Sequence, residues 1–350
     1  MAAPTETTGS PASPASPARK SRADSRRSER APSGGWRTIA AKELADHISS
    51  WRFIVLLFVI ALLSVLPMYF SASDVQAQAV AASGNPLAFL ALFTHGSASF
   101  GSVPMITLVT LLVPLVGISF GFDGINSERS QGTLSRLLAQ PVHRDDVVNG
   151  KFAAGIFVIA IMILSLVVLV TAIGILRLGI IPQAEDLARV LVWAIATVLY
   201  ASFWLAFALL LSTIIRSAAT AALVGFGSWL AITMVGGFVL PAIASFLFPI
   251  DTTASIGAQF GAATAQNLLL RVSPAQLYTD ILQAIMDPRT NAIMISNLGQ
   301  ATSSQQQIPT LLSLDQSVLL VWPQFVALVA LTVLLFAIAY VMFLRQEVRA

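Results

Sequence analysis

The sequence has 350 residues, of which 56% are hydrophobic and 11% charged, and its mean hydropathy is +0.79. A water-soluble domain carries about a quarter of its residues as Asp, Glu, Lys or Arg, so this composition excludes a protein solvated by water alone and indicates broad contact with lipid. The absence of cysteine excludes disulfides, thiolate metal sites and a cysteine nucleophile.

Residues 1–35 are rich in Ala, Pro, Ser and Thr and carry six basic residues between Arg19 and Arg30. This stretch lacks the apolar residues that offset the entropy of ordering, so we predict a disordered basic cytoplasmic tail. Its charge favours contact with anionic lipid headgroups. The basic residues of the whole chain, whose net charge is +3, lie in this tail and in short loops. That placement indicates orientation in a membrane and predicts no nucleic-acid partner.

Residues 36–51 form a short helical pattern bounded by two tryptophans, Trp36 and Trp51. Apolar residues such as Leu44 recur at helical spacing, whereas Lys42 and Glu43 fall mainly on the other side. The pattern predicts an amphipathic helix that lies along the membrane surface, with a plain extension of the first span as the alternative.

Six apolar runs that follow are long enough to cross a hydrocarbon core about 30 Å thick. They lie near residues 52–70, 103–122, 152–176, 190–215, 218–248 and 318–344. The stretch 86–122 is compatible with either one long helix or a broken one. The sequence therefore predicts an all-α integral membrane protein with a six-span domain over residues 52–350.

The distribution of basic residues predicts the orientation of these spans. The tail, the 123–151 loop, Arg216 and the C-terminus are basic, whereas residues 71–101 contain no Lys or Arg. Six crossings with both termini in the cytoplasm satisfy the positive-inside rule, which predicts a multi-pass protein of the plasma or inner membrane. The 250–317 segment then lies outside. Its amphipathic pattern after Pro274 predicts either a gate over the outer mouth or an ordinary packing helix.

The predicted spans carry essentially no ionisable side chain between their ends. Intramembrane enzymes and ion-coupled carriers need such groups at membrane depth, so both classes are disfavoured. The three histidines are far apart in sequence and form no metal-binding pattern. If the protein moves a solute, we expect the energy to arrive from outside the lipid.

The cytoplasmic loop 123–151 carries the most informative pattern. A short helix is predicted to begin at Asn126 or Ser127, with Glu128 at its positive end. A second helix is predicted to open at Arg144 and run into the third span. Leu134, Leu137 and Leu138 are predicted to form one apolar face of the first of these helices, which Pro141 ends. The loop is therefore predicted to dock a soluble partner, with an ordinary polar loop as the alternative.

The same loop carries a family motif. It has the acidic position, the G-T-L triplet, the L-x-x-P-x-x-R run and the G-K pair typical of ABC type 2 permeases. The matching residues are Glu128, Gly132, Thr133, Leu134, Leu138, Pro141, Arg144, Gly150 and Lys151. Lys42-Glu43-Leu44 is similar to the K-E-L of the family's surface helix. The end of the chain from Tyr340 resembles a branch that includes permeases assigned to multicopper-enzyme maturation. The resemblance runs from about residue 36 to residue 350.

This resemblance implies six spans per subunit and a pore built with a second permease copy or a paralogue. It also implies that a separate ABC ATPase contacts the surface helix and the 123–151 loop. The residues assigned to that coupling are Glu128, Gly132, Thr133, Leu134, Leu137, Leu138, Pro141, Arg144 and Lys151. The chain lacks a G-x-x-x-x-G-K-[ST] phosphate loop. We therefore expect no cofactor and no catalysis on this chain, and ATP and Mg on the partner.

The function that these observations predict is permeation: an ATP-driven exporter subunit for a hydrophobic or amphipathic solute. A second transport hypothesis, delivery toward a metalloenzyme outside the membrane, depends on the branch resemblance alone. The alternative from another class is a non-transporting membrane scaffold or sensor that anchors an ATPase.

Overall fold

The computed structural model describes residues 35–81, 88–98, 101–130, 143–179, 181–251, 253–287 and 312–345. In this part of the chain all regular structure is helical, which confirms the predicted all-α class. The helices are α1 (Gly35–Ile48), α2 (Trp51–Ala81), α3 (Ala88–Thr94), α4 (Met105–Gly121), α5 (Asn126–Ser130), α6 (Arg144–Leu178), α7 (Ala184–Ile214), α8 (Ala218–Met234), α9 (Leu240–Leu247), α10 (Ile256–Leu270), α11 (Pro274–Met286) and α12 (Leu314–Arg345).

The described residues contain six helical segments that are long and apolar enough to cross a membrane, as the sequence predicted. They cover residues 51–76, 105–130, 144–177, 184–214, 218–247 and 314–345. The stretch 86–122 holds two helices, α3 and α4, so the broken alternative is the one observed. The amphipathic character predicted for 36–51 remains a prediction. A helix, α1, covers Gly35–Ile48 of this stretch, and Trp51 is instead the first residue of α2.

The helix α7 lies at the centre of the bundle. It packs against α4, α6, α8, α11 and α12. Of its most apolar stretch, 67% is buried, compared with 6% for residues 218–247. The start of α7 differs from the predicted span near residue 190, because the Asp186 carboxylate accepts the Gln183 backbone N–H at 3.0 Å and begins the helix earlier. Arg189 consequently lies inside the helix.

Two glycines of α4 allow it to approach α7 closely. A Cβ added at Gly117 would lie 2.4 Å from the Ala201 carbonyl oxygen, and one at Gly121 would lie 2.7 Å from the Ala208 Cβ. Both distances are far below van der Waals contact, so only glycine permits this approach. Such small residues are typical of helix contacts in membranes.

The fifth span is locally widened. The π-helical turn Val235–Val239 joins α8 to α9, and Pro241 follows in the first turn of α9. Proline has no backbone N–H, which favours a register change at this point. Large side chains on this span, such as Leu223 and Phe246, are exposed. In a bilayer this surface therefore contacts lipid or another chain.

The helix α11 packs against α7 and α12 with a wholly buried apolar face. Tyr278, Ile281 and Ile285 on that face have no exposed surface. Helix contacts are common to the predicted gate and the predicted packing helix, so both remain predictions.

Candidate functional site

Three helices meet at a buried cation, Lys151 of α6. Its Nζ lies 2.8 Å from Glu43 Oε1 of α1 and 2.7 Å from Glu128 Oε1 of α5. The Lys151 side chain is 7% exposed, and the two glutamates are 16% and 18% exposed. We call Glu43, Glu128 and Lys151 the lysine triad, and the end of the bundle that carries it the α1 end. A cation this deeply buried requires its carboxylate partners to be close.

Gly150 brings α1 to this position. A Cβ added at Gly150 would lie 2.7 Å from Ile39 Cγ2 and 2.9 Å from the Trp36 carbonyl oxygen. The absence of a side chain therefore lets α1 cross the first turns of α6 at close range. This crossing delivers Glu43 to Lys151, the residue next to the glycine.

The last turn of α7 holds the start of α5. Ser212 Oγ accepts the backbone N–H of Ile125 at 2.9 Å and that of Asn126 at 3.2 Å. The amide of Asn126 in turn donates to the Phe122 carbonyl oxygen at 3.0 Å. Ser212 and Asn126 are completely buried. Ser212 therefore holds the start of the short helix that carries Glu128.

A second ion pair joins α2 to the connection between α4 and α5. Arg52 binds Asp123 in a bidentate manner, with Nη1–Oδ1 at 3.1 Å and Nη2–Oδ2 at 2.6 Å. The Arg52 Nη1 also donates to the Ser119 carbonyl oxygen at 2.8 Å. Two parallel charge-assisted bonds fix the orientation as well as the distance.

Both ion pairs line one cavity of about 480 Å³ at the α1 end. Its polar side holds the lysine triad, Lys42, Asp46, His47, Arg52 and Asp123, and its apolar side holds Phe120, Phe152, Leu205 and Leu209. Burial lowers the pKa of His47, and Lys151 and Arg52 act in the same direction, whereas Glu43 and Asp123 oppose the shift. Among the described residues, no group of three His, Asp or Glu could hold a metal ion.

The predicted site residues divide into three groups. Lys42, Glu43, Glu128 and Lys151 line the cavity together. On α1 and after it, Leu44 is half-buried while Trp36 and Trp51 are exposed, and Arg144 is the exposed first residue of α6. Gly132, Thr133, Leu134, Leu137, Leu138 and Pro141 lie outside the described residues.

The sequence interpretation missed Arg52, Asp123 and Ser212. A signal existed for the first two, because they stand at the ends of consecutive antiparallel spans that must meet at one membrane face. No signal existed for Ser212, because its partners are backbone N–H groups. A serine near the end of an apolar helix is otherwise ordinary in sequence.

Comparison with known proteins gives three matches. The sequence model of a family described as "ABC-2 family transporter protein" matches residues 37–348. The chain is 26% identical over 215 residues to "Probable ABC transporter permease protein NosY" of Stutzerimonas stutzeri. The matched stretch covers 59% of this chain and 69% of that protein. A protein of the same name from Pseudomonas aeruginosa is 30% identical over 128 residues, covering 35% of this chain and 39% of that protein.

Proposed function

Because this chain belongs to the ABC-2 family of transporter proteins, we propose that it forms the permease part of an ATP-driven exporter. Its relatives are named as permease proteins. Hydrolysis of ATP with Mg takes place on a separate ATPase subunit. The observation that carries the proposal is the lysine triad, because it joins the surface helix and the loop motif of the family to a membrane span.

In this proposal the α1 end faces the cytoplasm and the protein is a multi-pass component of the plasma or inner membrane. The support is the positive-inside rule. Basic residues of the described chain concentrate on that side, and they include Lys42, Arg52, Arg129, Arg144, Lys151, Arg216 and Arg345. Both termini of the chain are then cytoplasmic.

The partner ATPase acts on α1 and on the loop that begins with α5. Lys151 ties both elements to α6, so a displacement of either is resisted by an ion pair that is difficult to separate. Breaking a buried pair by removing one partner is unfavourable by about 3–5 kcal/mol. The loop residues Gly132, Thr133, Leu134, Leu137, Leu138 and Pro141 supply the contact surface, as the family motif implies.

The solute is hydrophobic or amphipathic, and a second copy of the chain or a paralogue completes the pore. The support is the exposed fifth span, where Gly227 and Gly237 have open space at their Cβ positions. Leu223 is 74% exposed and Phe246 is 85% exposed. A surface of this kind offers apolar walls and small residues, without a charged group for selecting a charged solute.

The test is ATP hydrolysis by the co-purified ATPase in proteoliposomes with and without the permease. We expect Glu128→Gln to reduce the stimulation of hydrolysis by about tenfold, since a neutral amide loses the charge that faces Lys151. Asp251→Asn is the matched control, because Asp251 is exposed at the opposite end of the bundle. Equal stimulation by Glu128→Gln and the wild type would contradict the proposal, as would ATP hydrolysis by the permease alone.

The scaffold alternative is separated by transport itself. An exporter moves an amphipathic fluorescent dye across the proteoliposome membrane only when ATP is present. A scaffold binds the ATPase and leaves the dye distribution unchanged.

A further inference from the structure

The helix α7 is attached by buried polar contacts at both ends. With 31 residues and a rise of 1.5 Å per residue, it is about 46 Å long, which exceeds the thickness of the hydrocarbon core. At the α1 end, Ser212 Oγ accepts the backbone N–H groups of Ile125 and Asn126. The element that carries Glu128 is therefore bonded directly to α7.

At the opposite end, Arg189 holds two other elements. Its Nη1 donates to the Ile285 carbonyl oxygen at 2.9 Å and to Ser317 Oγ at 3.4 Å, and its Nη2 donates to the Leu312 carbonyl oxygen. The side chain is 2% exposed and pairs with Glu185 at 2.8 Å. One guanidinium thus joins α7 to the end of α11 and to the beginning of α12.

A second contact joins α11 to the same helix. Trp193 Nε1 donates to the Tyr278 hydroxyl at 3.1 Å, and that hydroxyl lies 2.9 Å from Thr197 Oγ1. The Tyr278 ring stacks on the Tyr200 ring with a centroid distance of 4.6 Å. The whole of this contact is buried. Any rotation or shift of α7 therefore changes the surroundings of α11.

Between its two ends α7 is held by α4. The glycine contacts at Gly117 and Gly121 leave no space between the two backbones. Closely packed elements of this kind shift between discrete arrangements and do not deform gradually. A displacement introduced at one end of α7 is then carried to the other end.

We propose that α7 transmits motion between α5 and α11, with Ser212 and Arg189 as the positioning residues at its two ends. The inference rests on the proposed function in one respect, namely that the ATPase cycle supplies the displacement of α5. The attachment itself is a property of the permease chain alone. It assigns to Arg189 and Ser212 a role that the loop motif does not contain.

The absence of cysteine from the chain makes the test direct. Three single-cysteine reporters are placed at buried positions: Ile125→Cys near α5, Ala284→Cys on α11, and Ala154→Cys on α6 as the control. The rate of thiol modification by a maleimide is measured on the full chain in lipid nanodiscs. The rate reports how often each site opens.

We expect Ser212→Ala to increase the modification rate at residue 284 of α11, which packs at the far end of α7. The expected increase is about fivefold or more, because fivefold is the lower limit of a typical coupling between sites. Arg189→Gln is expected to do the same at residue 125, because a helix held at both ends carries a disturbance in either direction. The rate at residue 154 stays within about twofold. Ser212→Thr retains the acceptor oxygen and is expected to restore the wild-type rate at residue 284.

Two results would overturn the inference. One is acceleration only at the reporter beside each substitution, which would make the two ends independent. The other is equal acceleration at all three reporters, which would reflect general unfolding. The measurement uses neither ATPase nor nucleotide, so its failure is distinguishable from failure of the permease proposal, which is read from ATP hydrolysis.

Discussion

Lys151 contacts carboxylates from two other helices, and its side chain is 7% exposed. At such a site the ion pairs do not act as ordinary surface salt bridges, whose contribution is about 0–1 kcal/mol. Removal of the cation leaves two glutamates facing each other in a poorly solvated position. Lys151 therefore connects α1, α5 and α6, and the effect of its substitution on the free energy of unfolding is measurable.

We expect Lys151→Met to destabilise the folded protein by about 3 kcal/mol, since it leaves Glu43 and Glu128 without their shared cation. Thermal unfolding in nanodiscs measures the change. Lys42→Met, an exposed position on α1, is the control and should change stability by at most about 0.5 kcal/mol.

The triple variant Glu43→Gln, Glu128→Gln and Lys151→Met should recover part of the loss, because no uncompensated charge remains. If Lys151→Met and Lys42→Met unfold at the same temperature, the triad does not hold the three helices together.

His47 gives the α1 end a predicted dependence on pH. Burial lowers its pKa below the ordinary value of 6.5, so the unfolded chain binds a proton before the folded protein does. Stability is consequently unaffected by His47 well above pH 6.5 and decreases as the pH falls through 6.5 toward the lower folded-state pKa.

We expect the melting temperature of the wild type to fall between pH 8 and pH 5, and to fall less in His47→Gln. His143→Gln, at an exposed position before α6, serves as the control and should follow the wild type. An identical pH profile for His47→Gln and the wild type would exclude His47 as the cause.

At the scale of helices, two close crossings organise the bundle. The first is α1 over α6 at Gly150, and the second is α4 against α7 at Gly117 and Gly121. In each case the missing side chain permits a distance that no other residue allows. The glycines therefore decide which helices approach each other most closely.

We expect Gly117→Ala to destabilise the protein by about 1–3 kcal/mol, because its methyl group would overlap the Ala201 carbonyl oxygen, which belongs to the α7 backbone. Gly227→Ala is the matched control, since no atom lies within 4 Å of its added Cβ. That control should be neutral or slightly stabilising, because alanine favours the helix. A Gly117→Ala variant that unfolds at or above the wild-type temperature would show that the two helices can separate without loss.

At the scale of the whole molecule, burial is distributed unevenly among the spans. The most apolar stretch of α7 is 67% buried, whereas that of residues 218–247 is 6% buried. The helix α7 therefore lies at the centre of the bundle, and the span 218–247 presents a surface that lipid or another chain covers. This asymmetry is consistent with a permease in which the fourth span holds the bundle and the fifth faces outward.

The orientation of the whole bundle is open to a labelling test. We expect a membrane-impermeant maleimide, added outside sealed right-side-out vesicles, to modify Ile181→Cys and to leave His143→Cys unmodified until the vesicles are opened. Both positions are exposed, and they lie at opposite ends of α6 and the connection that follows it. Labelling of residue 143 in sealed vesicles would reverse the proposed topology.

The sequence by itself determined the number of spans, the all-α class and the family. Hydropathy is a local property, and the bilayer thickness converts it into a helix length without reference to other parts of the chain. The motif around Glu128 and Lys151 is also a local pattern, so its recognition does not depend on how the helices pack.

The tertiary structure alone decided which side chains meet. Glu43 and Lys151 are 108 residues apart in sequence, and their pairing depends on how closely Gly150 lets two helices approach. Arg189 precedes the span predicted near residues 190–215 and is a buried residue of α7, because the Asp186 contact begins the helix earlier. Such contacts depend on the rotation and spacing of helices, quantities that are absent from a linear pattern of hydropathy and charge.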